Sequence, residues 1–176
     1  MRTIGSERLI LRPWEVEDAD FLLDLEGRWD VMRYVGASPS TMTTRDDALA
    51  SIQRRRAISD HPTHGIWLIT DHAGRRLGNL LLKPVPLSAG ATPQEPADVE
   101  VGWHLHPDAW GNGYATEAAT AAIADAFSRG QDRVIAVTHP QNHPSQAVCR
   151  RVGMHHLGTT TRRRDSGEPA FMPPDQ

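Results

Sequence analysis

The hydrophobic and polar positions in the second half of the chain follow first a strand period, then a helix period, then a strand period again. Apolar side chains occupy every second position of Val99–Leu105, which predicts a strand. Residues 114–129 place alanine and larger apolar residues on one helical face, and Gly130 stands where a helix commonly ends. Residues 133–138 are almost continuously apolar, as in a strand buried on both faces. These three segments therefore predict two parallel strands joined by a right-handed helical crossover.

The first half of the chain shows the same two periods. Thr44 is the expected N-cap of a helix, and the turn at residues 71–74 joins two strands into a hairpin. The elements predicted there are strands at residues 8–14, 65–70 and 76–83 and helices at residues 15–29 and 45–58.

Toward the C-terminus the pattern weakens. Pro144 suits the first turn of a helix that ends at Gly153. Residues 84–97 are rich in proline and predict a surface loop. Residues 162–176 predict an irregular tail in which only residues 170–172 suit a strand, so the last strand is expected to be short or missing.

The composition of the chain excludes several classes of protein. The 176 residues fit a single domain, residues 1–176, that is large enough to bury a core. A net charge of −3 argues against a nucleic-acid partner, and the arginine runs at residues 54–56 and 162–164 are expected on solvated surface. The single cysteine, Cys149, forms no internal disulfide, and no segment is apolar over a membrane-spanning length. We therefore expect a soluble, cytoplasmic protein with no membrane partner.

The connection between the predicted strand at Val99–Leu105 and the helix after it is rich in glycine. It reads Trp110, Gly111, Asn112, Gly113, Tyr114 and Ala115. Glycines let the main chain turn its N–H groups inward, and a helix N-terminus adds partial positive charge, so together they suit a pyrophosphate. The loop lacks the Gly-Lys-Ser/Thr ending of a Walker A loop, and Thr116 stands where a dinucleotide fingerprint needs a small residue. On this motif alone, an ordinary glycine turn explains the sequence equally well.

Three blocks of sequence around this loop resemble one known family. The string Glu100-Val101-Gly102-Trp103, followed by the loop and Thr116-Glu117-Ala118, resembles the acetyl-CoA-binding motif of the GNAT acetyltransferases. The block Asn142-His143-Pro144-Ser145 with Val152-Gly153-Met154 is similar to the helix that follows in that family, with Met154 in place of an aromatic residue. The opening, from Glu7 to Pro13, resembles the RimJ/RimL branch, whose characterised members acetylate protein N-termini.

The resemblance implies a fold and a way of binding acetyl-CoA. The implied fold is of the α/β (α+β) class: a central mixed, mostly antiparallel twisted sheet with helices on both faces and a parallel strand–helix–strand core splayed at the acetyl-CoA site. Gly102 is the candidate for the irregularity that separates the two parallel strands. The residues implied to hold acetyl-CoA are His104, Leu105, Trp110, Gly111, Asn112, Gly113, Tyr114, Ala115, Thr116, Asn142 and Ser145.

In the implied reaction the amine attacks the acetyl group directly, so a base must keep the amine neutral. Glu100 is the first candidate base, although a salt-bridged or solvent-facing glutamate, a water chain or His139 would fit as well. Ser145 is the candidate acid for the departing thiolate, or else it satisfies N–H groups of its helix. Asn142 either binds the cofactor arm or forms a turn. No metal is expected, because the histidines near this site lack acidic or thiol ligands beside them.

Three functions remain open at this point. The favoured one is an acetyl-CoA-dependent N-acetyltransferase acting on a primary amine, such as a protein α-amino group. The alternatives are a small-molecule amine acetyltransferase, for a metabolite or an antibiotic, and a non-catalytic acyl-CoA sensor. A short last strand would leave a sheet edge for a second subunit to cover, so both a monomer and a homodimer remain possible.

Overall fold

The computed structural model describes residues 2–36, 38–85, 98–160 and 168–172. Most of the predicted proline-rich loop and much of the predicted tail, including the arginine run at residues 162–164, lie outside these ranges. The strands are β1 (Ile4–Gly5), β2 (Leu9–Pro13), β3 (Gly65–Asp71), β4 (Arg76–Pro84), β5 (Val99–Leu105), β6 (Val134–Val137), β7 (His155–Thr160) and β8 (Glu168–Met172). The helices are α1 (Ala19–Glu26), α2 (Trp29–Met32), α3 (Arg45–Ile58), α4 (Tyr114–Ser128) and α5 (His143–Arg151).

The strands form one mixed sheet in the order β1-β2-β3-β4-β5-β6-β8-β7. Its described pairings are antiparallel except that of β5 with β6, which is parallel and spans the crossover through α4. The predicted mixed, mostly antiparallel sheet with a parallel core is therefore confirmed. None of the described helices is long and apolar enough to cross a membrane.

Each face of the sheet is covered by its own helices, as the alternation along the strands requires. In β3, the side chains of Trp67 and Ile69 join the core formed with α4, whereas those of Ile66 and Leu68 join the core formed with α1 and α3. The α4 core also holds apolar residues of β5 and β6 and extends to Cys149 of α5. Two cores on opposite faces confirm the prediction of helices on both sides.

The helix predicted at residues 15–29 is interrupted. Its main body, α1, ends at Glu26, with Gly27 as the C-cap, and Arg28 has an extended main chain. Trp29 then begins the short helix α2 and remains 58% exposed. By contrast, α3 begins after the predicted cap Thr44, whose hydroxyl accepts a hydrogen bond from the main-chain N–H of Asp47.

The C-terminal part of the sheet is larger than predicted. The strand expected at residues 170–172 extends over Glu168–Met172 as β8 and lies between β6 and β7. The pattern did not predict β7, which pairs with β8 and forms one edge of the sheet. The register between these two strands shifts between His156 and Gly158, and a sheet irregularity of this kind hides the strand period.

A buried polar cluster ties the α1–α3 layer to the middle of the sheet. The carboxylate of Glu26 accepts a hydrogen bond from the guanidinium of Arg55 and pairs with His104 Nε2 at 2.9 Å. Arg55 also donates to Asn79 Oδ1, which accepts from the indole N–H of Trp14 at 3.0 Å. Sequence reasoning placed Arg55 on solvated surface, but its side chain is only 11% exposed.

The charge of Glu26 makes this cluster sensitive to acid. Burial raises the pKa of Glu26, but the hydrogen bond from His104 and the charges of His104 and Arg55 outweigh it and lower the pKa to about 2 from the ordinary 4.5. A carboxylate with a lowered pKa stabilises the folded state above its ordinary pKa, and that contribution is lost as the pH falls toward 2.

We expect the folded state to lose ~3 kcal/mol through Glu26 between about pH 6 and about pH 2. Urea unfolding of the wild type and of Glu26→Gln at several pH values measures this contribution. The variant, although less stable at neutral pH, should lose less stability on acidification than the wild type. Equal losses in both proteins would contradict the assignment of the acid sensitivity to Glu26.

Candidate active site

The two parallel strands at the centre of the sheet are paired over only a short stretch. The described Cα partners of β5 and β6 are Val99 with Val134 and Glu100 with Ile135. Beyond Glu100, β5 continues for five residues along β4, and β6 continues along β8. The sheet therefore parts between β5 and β6, and we call this gap the strand opening.

The main chain of β5 faces the strand opening at alternate residues. The N–H of His106 donates to Leu77 O at 2.9 Å, which directs this residue's main chain toward β4. In an antiparallel ladder such residues alternate, so the N–H groups of Trp103 and Leu105 point the other way, toward the opening. The carbonyl oxygen of Leu105 accepts from the indole N–H of Trp110 at 2.8 Å. An extended ligand in the opening would therefore meet main-chain donors of β5.

His104 was predicted to bind the cofactor, and its position argues against that role. By the same alternation its main chain points to β4, where its Cα partner is Asn79. Its imidazole lies on the α1–α3 face and pairs with Glu26. The main chain of His104 is used by β4 and its imidazole is paired with Glu26, so neither group is left for the cofactor. His104 was therefore wrongly predicted as a cofactor-binding residue, whereas Leu105 stays in the predicted set.

Gly102 does not produce the irregularity that was expected of it. The register between β4 and β5 runs without a shift from Gly78–Leu105 to Pro84–Val99, and Gly102 is paired with Leu81. A Cβ at Gly102 would lie 3.3 Å from the Leu81 side chain. The glycine thus allows a close approach of that side chain, and the strands part without a bulge in β5.

The glycine-rich loop places two left-handed residues before α4. Gly111 has φ of 76° and Gly113 has φ of 79°, conformations that residues with a Cβ rarely adopt. Gly113 is the N-cap of α4, and no described side chain caps this helix. The first N–H groups of α4 are therefore left to a ligand or to water, and the positive end of the helix dipole adds to their attraction for an anion.

Other residues of the loop hold its shape. The hydrogen bond from the indole of Trp110 to Leu105 O anchors the loop to the end of β5. Asn112 Nδ2 donates to the carbonyl oxygens of Trp110 at 2.9 Å and Ala109 at 3.3 Å. Ala115 and Thr116 follow in the first turn of α4 and are partly exposed. The side chains of Trp110 and Asn112 thus support the loop, and its main chain provides the surface for an anion.

Three arginines that sequence reasoning did not assign surround the start of α4. Arg8 donates to Asn112 O at 3.1 Å, forms a salt bridge with Glu117, and lies over the ring of Tyr114. Arg75 contacts the hydroxyl of Tyr114 at 3.4 Å, and Arg151 Nε contacts Thr116 Oγ1 at 3.3 Å. Arg8 belongs to the block that resembles the RimJ/RimL branch, so the sequence offered a signal for this residue. Arg75 and Arg151 are not among the residues that carry the resemblance, so the sequence offered no signal for them. Arg8 and Arg75 also pair with the carboxylates of Glu117 and Asp71, so what these groups offer a pyrophosphate is mainly hydrogen-bond donors near the start of α4.

The two predicted catalytic residues belong to different elements. Glu100 lies at the last described pair of β5 with β6 and is only 4% exposed. By strand alternation it shares the α1–α3 face with His104. Ser145 lies in the first turn of α5, the helix whose Cys149 belongs to the α4 core. Its N–H donates to Asn142 Oδ1 at 3.3 Å, so Asn142 caps α5 and keeps its side-chain amide group for other partners.

His139, the alternative base, follows the end of β6. Its Nδ1 accepts the N–H of Gln141 at 3.2 Å, and its ring stacks on Tyr34 with the centroids 4.9 Å apart. The stack links the segment after α2 to the strand opening on the α1–α3 side. Among the described residues no group of three or more histidine, cysteine or acidic side chains is arranged to hold a metal ion.

Comparison with known proteins agrees with this geometry. The family described as "Acetyltransferase (GNAT) domain" matches residues 8–155. The FsC-acetyl coenzyme A-N(2)-transacetylase of Aspergillus fumigatus is 28% identical over 171 residues, which cover 96% of this chain and 72% of that protein. An acetyltransferase from Agrobacterium tumefaciens has a similar structure, with a TM-score of 0.80 and 25% identity over 99% of this chain and 95% of that one.

A further solved structure is that of RimL, named a ribosomal L7/L12 alpha-N-protein acetyltransferase, in complex with coenzyme A. Its TM-score is 0.78, and the alignment covers 97% of this chain and 96% of that chain. The sequence identity is 17%, so this likeness concerns the fold alone.

Gly113→Val should abolish measurable binding of acetyl-CoA, because a branched side chain disfavours the left-handed main chain and intrudes on the start of α4. Isothermal titration calorimetry measures the binding. Gly130→Val is the matched control, since Gly130 also has a positive φ of 85° but lies past the other end of α4. The control should lose a similar amount of stability and retain binding. Retained binding in the Gly113 variant would contradict the role of the loop.

Proposed function

The chain belongs to the GNAT acetyltransferase family and is an N-acetyltransferase, and we propose that its acceptor is the α-amino group of a polypeptide. The binding of acetyl-CoA is supported by one observation: the strand opening leads directly to a glycine-capped helix N-terminus. That arrangement suits a ligand with an extended arm and a pyrophosphate, and members of this family use acetyl-CoA.

We assign the binding of acetyl-CoA to three parts of the chain. The main-chain N–H groups of residues 111–116 and the guanidinium of Arg8 would hold the pyrophosphate. The main chain of Leu105, facing the strand opening, would pair with the pantetheine arm. The side-chain amide of Asn142 would contact the same arm from α5. Bound acetyl-CoA supplies the electrophilic thioester, and these residues orient it in the opening.

The acetyl group passes directly to the amine in this proposal, without an enzyme-bound acyl group. Burial raises the pKa of the Cys149 thiol to about 12, so the thiol stays protonated at neutral pH and is a poor nucleophile. Cys149 is also fully buried in the α4 core. The single cysteine therefore has a packing role, and the amine itself is the nucleophile.

Glu100 is the proposed base and Ser145 the proposed acid. The Glu100 carboxylate is buried at the closed end of the strand opening, on the face that carries the Tyr34–His139 stack, and would accept the proton of the ammonium group. The helix that carries Ser145, α5, packs on the opposite face through Cys149, and from there the Ser145 hydroxyl would donate to the departing sulfur. A base and an acid on opposite sides of the reacting group allow proton removal and proton donation without interference.

The polypeptide acceptor is supported by the fold that the chain shares with RimL, which is named for its action on a ribosomal protein. Trp29 lies in α2, the helix that follows α1, and its exposed indole offers apolar surface that a peptide chain could contact. A small-molecule amine is the second candidate acceptor. Its support is the 28% identity to the Aspergillus fumigatus enzyme, whose name gives FsC and the nitrogen N(2) beside acetyl coenzyme A.

Glu100→Gln should reduce kcat by about 100-fold or more at neutral pH, because the amide cannot accept the proton of the ammonium group. Acetyl-CoA affinity should change by less than about twofold. Steady-state kinetics between pH 6 and 9, with calorimetry for binding, test both expectations, and Glu15→Gln at an exposed position is the control. A variant with the wild-type rate throughout this range would exclude Glu100 as the base, and His139→Gln in the same assay would then test the other candidate.

The acceptor is tested by the release of CoA thiol from acetyl-CoA over a panel of peptides and small primary amines. We expect release with peptides that have a free α-amino group and none with the same peptides acetylated at the N-terminus. Release with small amines alone would contradict the polypeptide proposal and favour the second candidate. Binding of acetyl-CoA without release on any acceptor would contradict both.

A further inference from the structure

One buried hydroxyl near the strand opening has no hydrogen-bond partner in the part of the chain that the structure describes. Thr138 is 6% exposed, and its Oγ1 makes no hydrogen bond to any of the residues that the structure describes. The other buried hydroxyls of the described chain are satisfied: Ser59 Oγ donates to Arg55 O at 2.8 Å, Thr70 Oγ1 donates to Ile10 O at 3.2 Å, and Ser51 Oγ accepts from Arg55. A buried polar atom without a partner is costly, so its retention requires an explanation.

The main chain beside Thr138 offers this hydroxyl no partner. The carbonyl oxygen of His139 already accepts from the N–H of Asn142 at 2.9 Å and from the side chain of Gln146 at 3.3 Å. The carbonyl oxygen of Pro140 accepts from the same amide group at 2.9 Å. The carbonyl oxygens of the turn between β6 and α5 thus already accept hydrogen bonds from within the turn and α5, and none of these bonds involves the Thr138 hydroxyl.

The position of Thr138 identifies what could reach it. The residue follows the last residue of β6, on the side of the strand opening, and the β5–β6 register continued from Val99–Val134 brings it level with Trp103. Val134 and Ala136 belong to the α4 core, and alternation places Thr138 on the same face. The hydroxyl therefore lies at the border of the opening, on the face of α4, the helix whose N-terminus is the proposed pyrophosphate site.

We propose that the Thr138 hydroxyl donates a hydrogen bond to the thioester end of acetyl-CoA, an inference that rests on the proposed binding of that molecule in the strand opening. The pyrophosphate would lie beyond the carboxyl end of β5, at the start of α4, and the arm would run back along β5 from Leu105 toward Glu100. Because Thr138 is level with Trp103, about two residues or ~7 Å further into the opening than Leu105, it meets the far end of that arm. Thr138 is thus a binding residue that touches the reacting group.

The replacement Thr138→Val separates this role from a structural one, because it removes the hydroxyl and keeps the shape. Without ligand the variant should melt about 2–4 °C higher than the wild type, since it no longer buries an unsatisfied hydroxyl. Its affinity for acetyl-CoA should be weaker by about fivefold to tenfold. Adenosine 3′,5′-bisphosphate, which has no arm or thioester, should bind both proteins equally. Thr138→Ser keeps the hydroxyl and should retain the affinity for acetyl-CoA.

Thr70→Val is the matched control, because Thr70 is equally buried but its hydroxyl is bonded to Ile10 O. It should melt lower than the wild type and bind acetyl-CoA normally. A lower melting temperature for Thr138→Val as well would show a structural partner and overturn the proposal. Unchanged acetyl-CoA affinity, or an equal loss for the bisphosphate, would also overturn it. If the wild type itself fails to bind acetyl-CoA, the proposed function fails together with the inference.

Discussion

Main-chain N–H groups that leave a β-ladder need another partner, and the rest of this structure depends on how β5 meets that need. The parallel pairing with β6 ends at Glu100, yet β5 continues to Leu105 along β4. One edge of a central strand is thereby exposed inside the sheet, where open edges are rare and costly. A ligand that itself pairs like a strand satisfies that edge, which is why the fold suits an extended arm.

The surrounding elements keep the strand opening in place. On one face, Glu26, Arg55 and His104 connect α1, α3 and β5 through buried, charge-assisted hydrogen bonds. On the other face, α4 packs its alanine-rich side on β5 and presents its glycine-capped N-terminus beside the opening. Tertiary contacts on both faces thus fix β5 while it lacks a neighbour along part of its length.

The sequence alone predicted those parts of the fold whose causes are local. The N-cap at Thr44, the alternation in β5 and the glycine loop before α4 each depend on residues close together in the chain, and each is present. The missed features depend on distant residues. His104 lies 78 residues from its partner Glu26 in the sequence. The strand β7 is defined by its pairing with β8, and its own residues show no regular alternation of apolar and polar side chains. The catalytic roles of Glu100 and Ser145 remain predictions.

The central claim is that acetyl-CoA lies in the strand opening with its pyrophosphate at the start of α4. Amide hydrogen exchange followed by NMR, with and without acetyl-CoA, tests it most directly because each N–H reports separately. We predict slower exchange at Trp103 and Leu105 of β5 and at residues 111–116, with α3 unchanged as an internal reference. Slower exchange confined to other parts of the chain, or no change at Trp103 and Leu105 under saturating acetyl-CoA, would contradict the account.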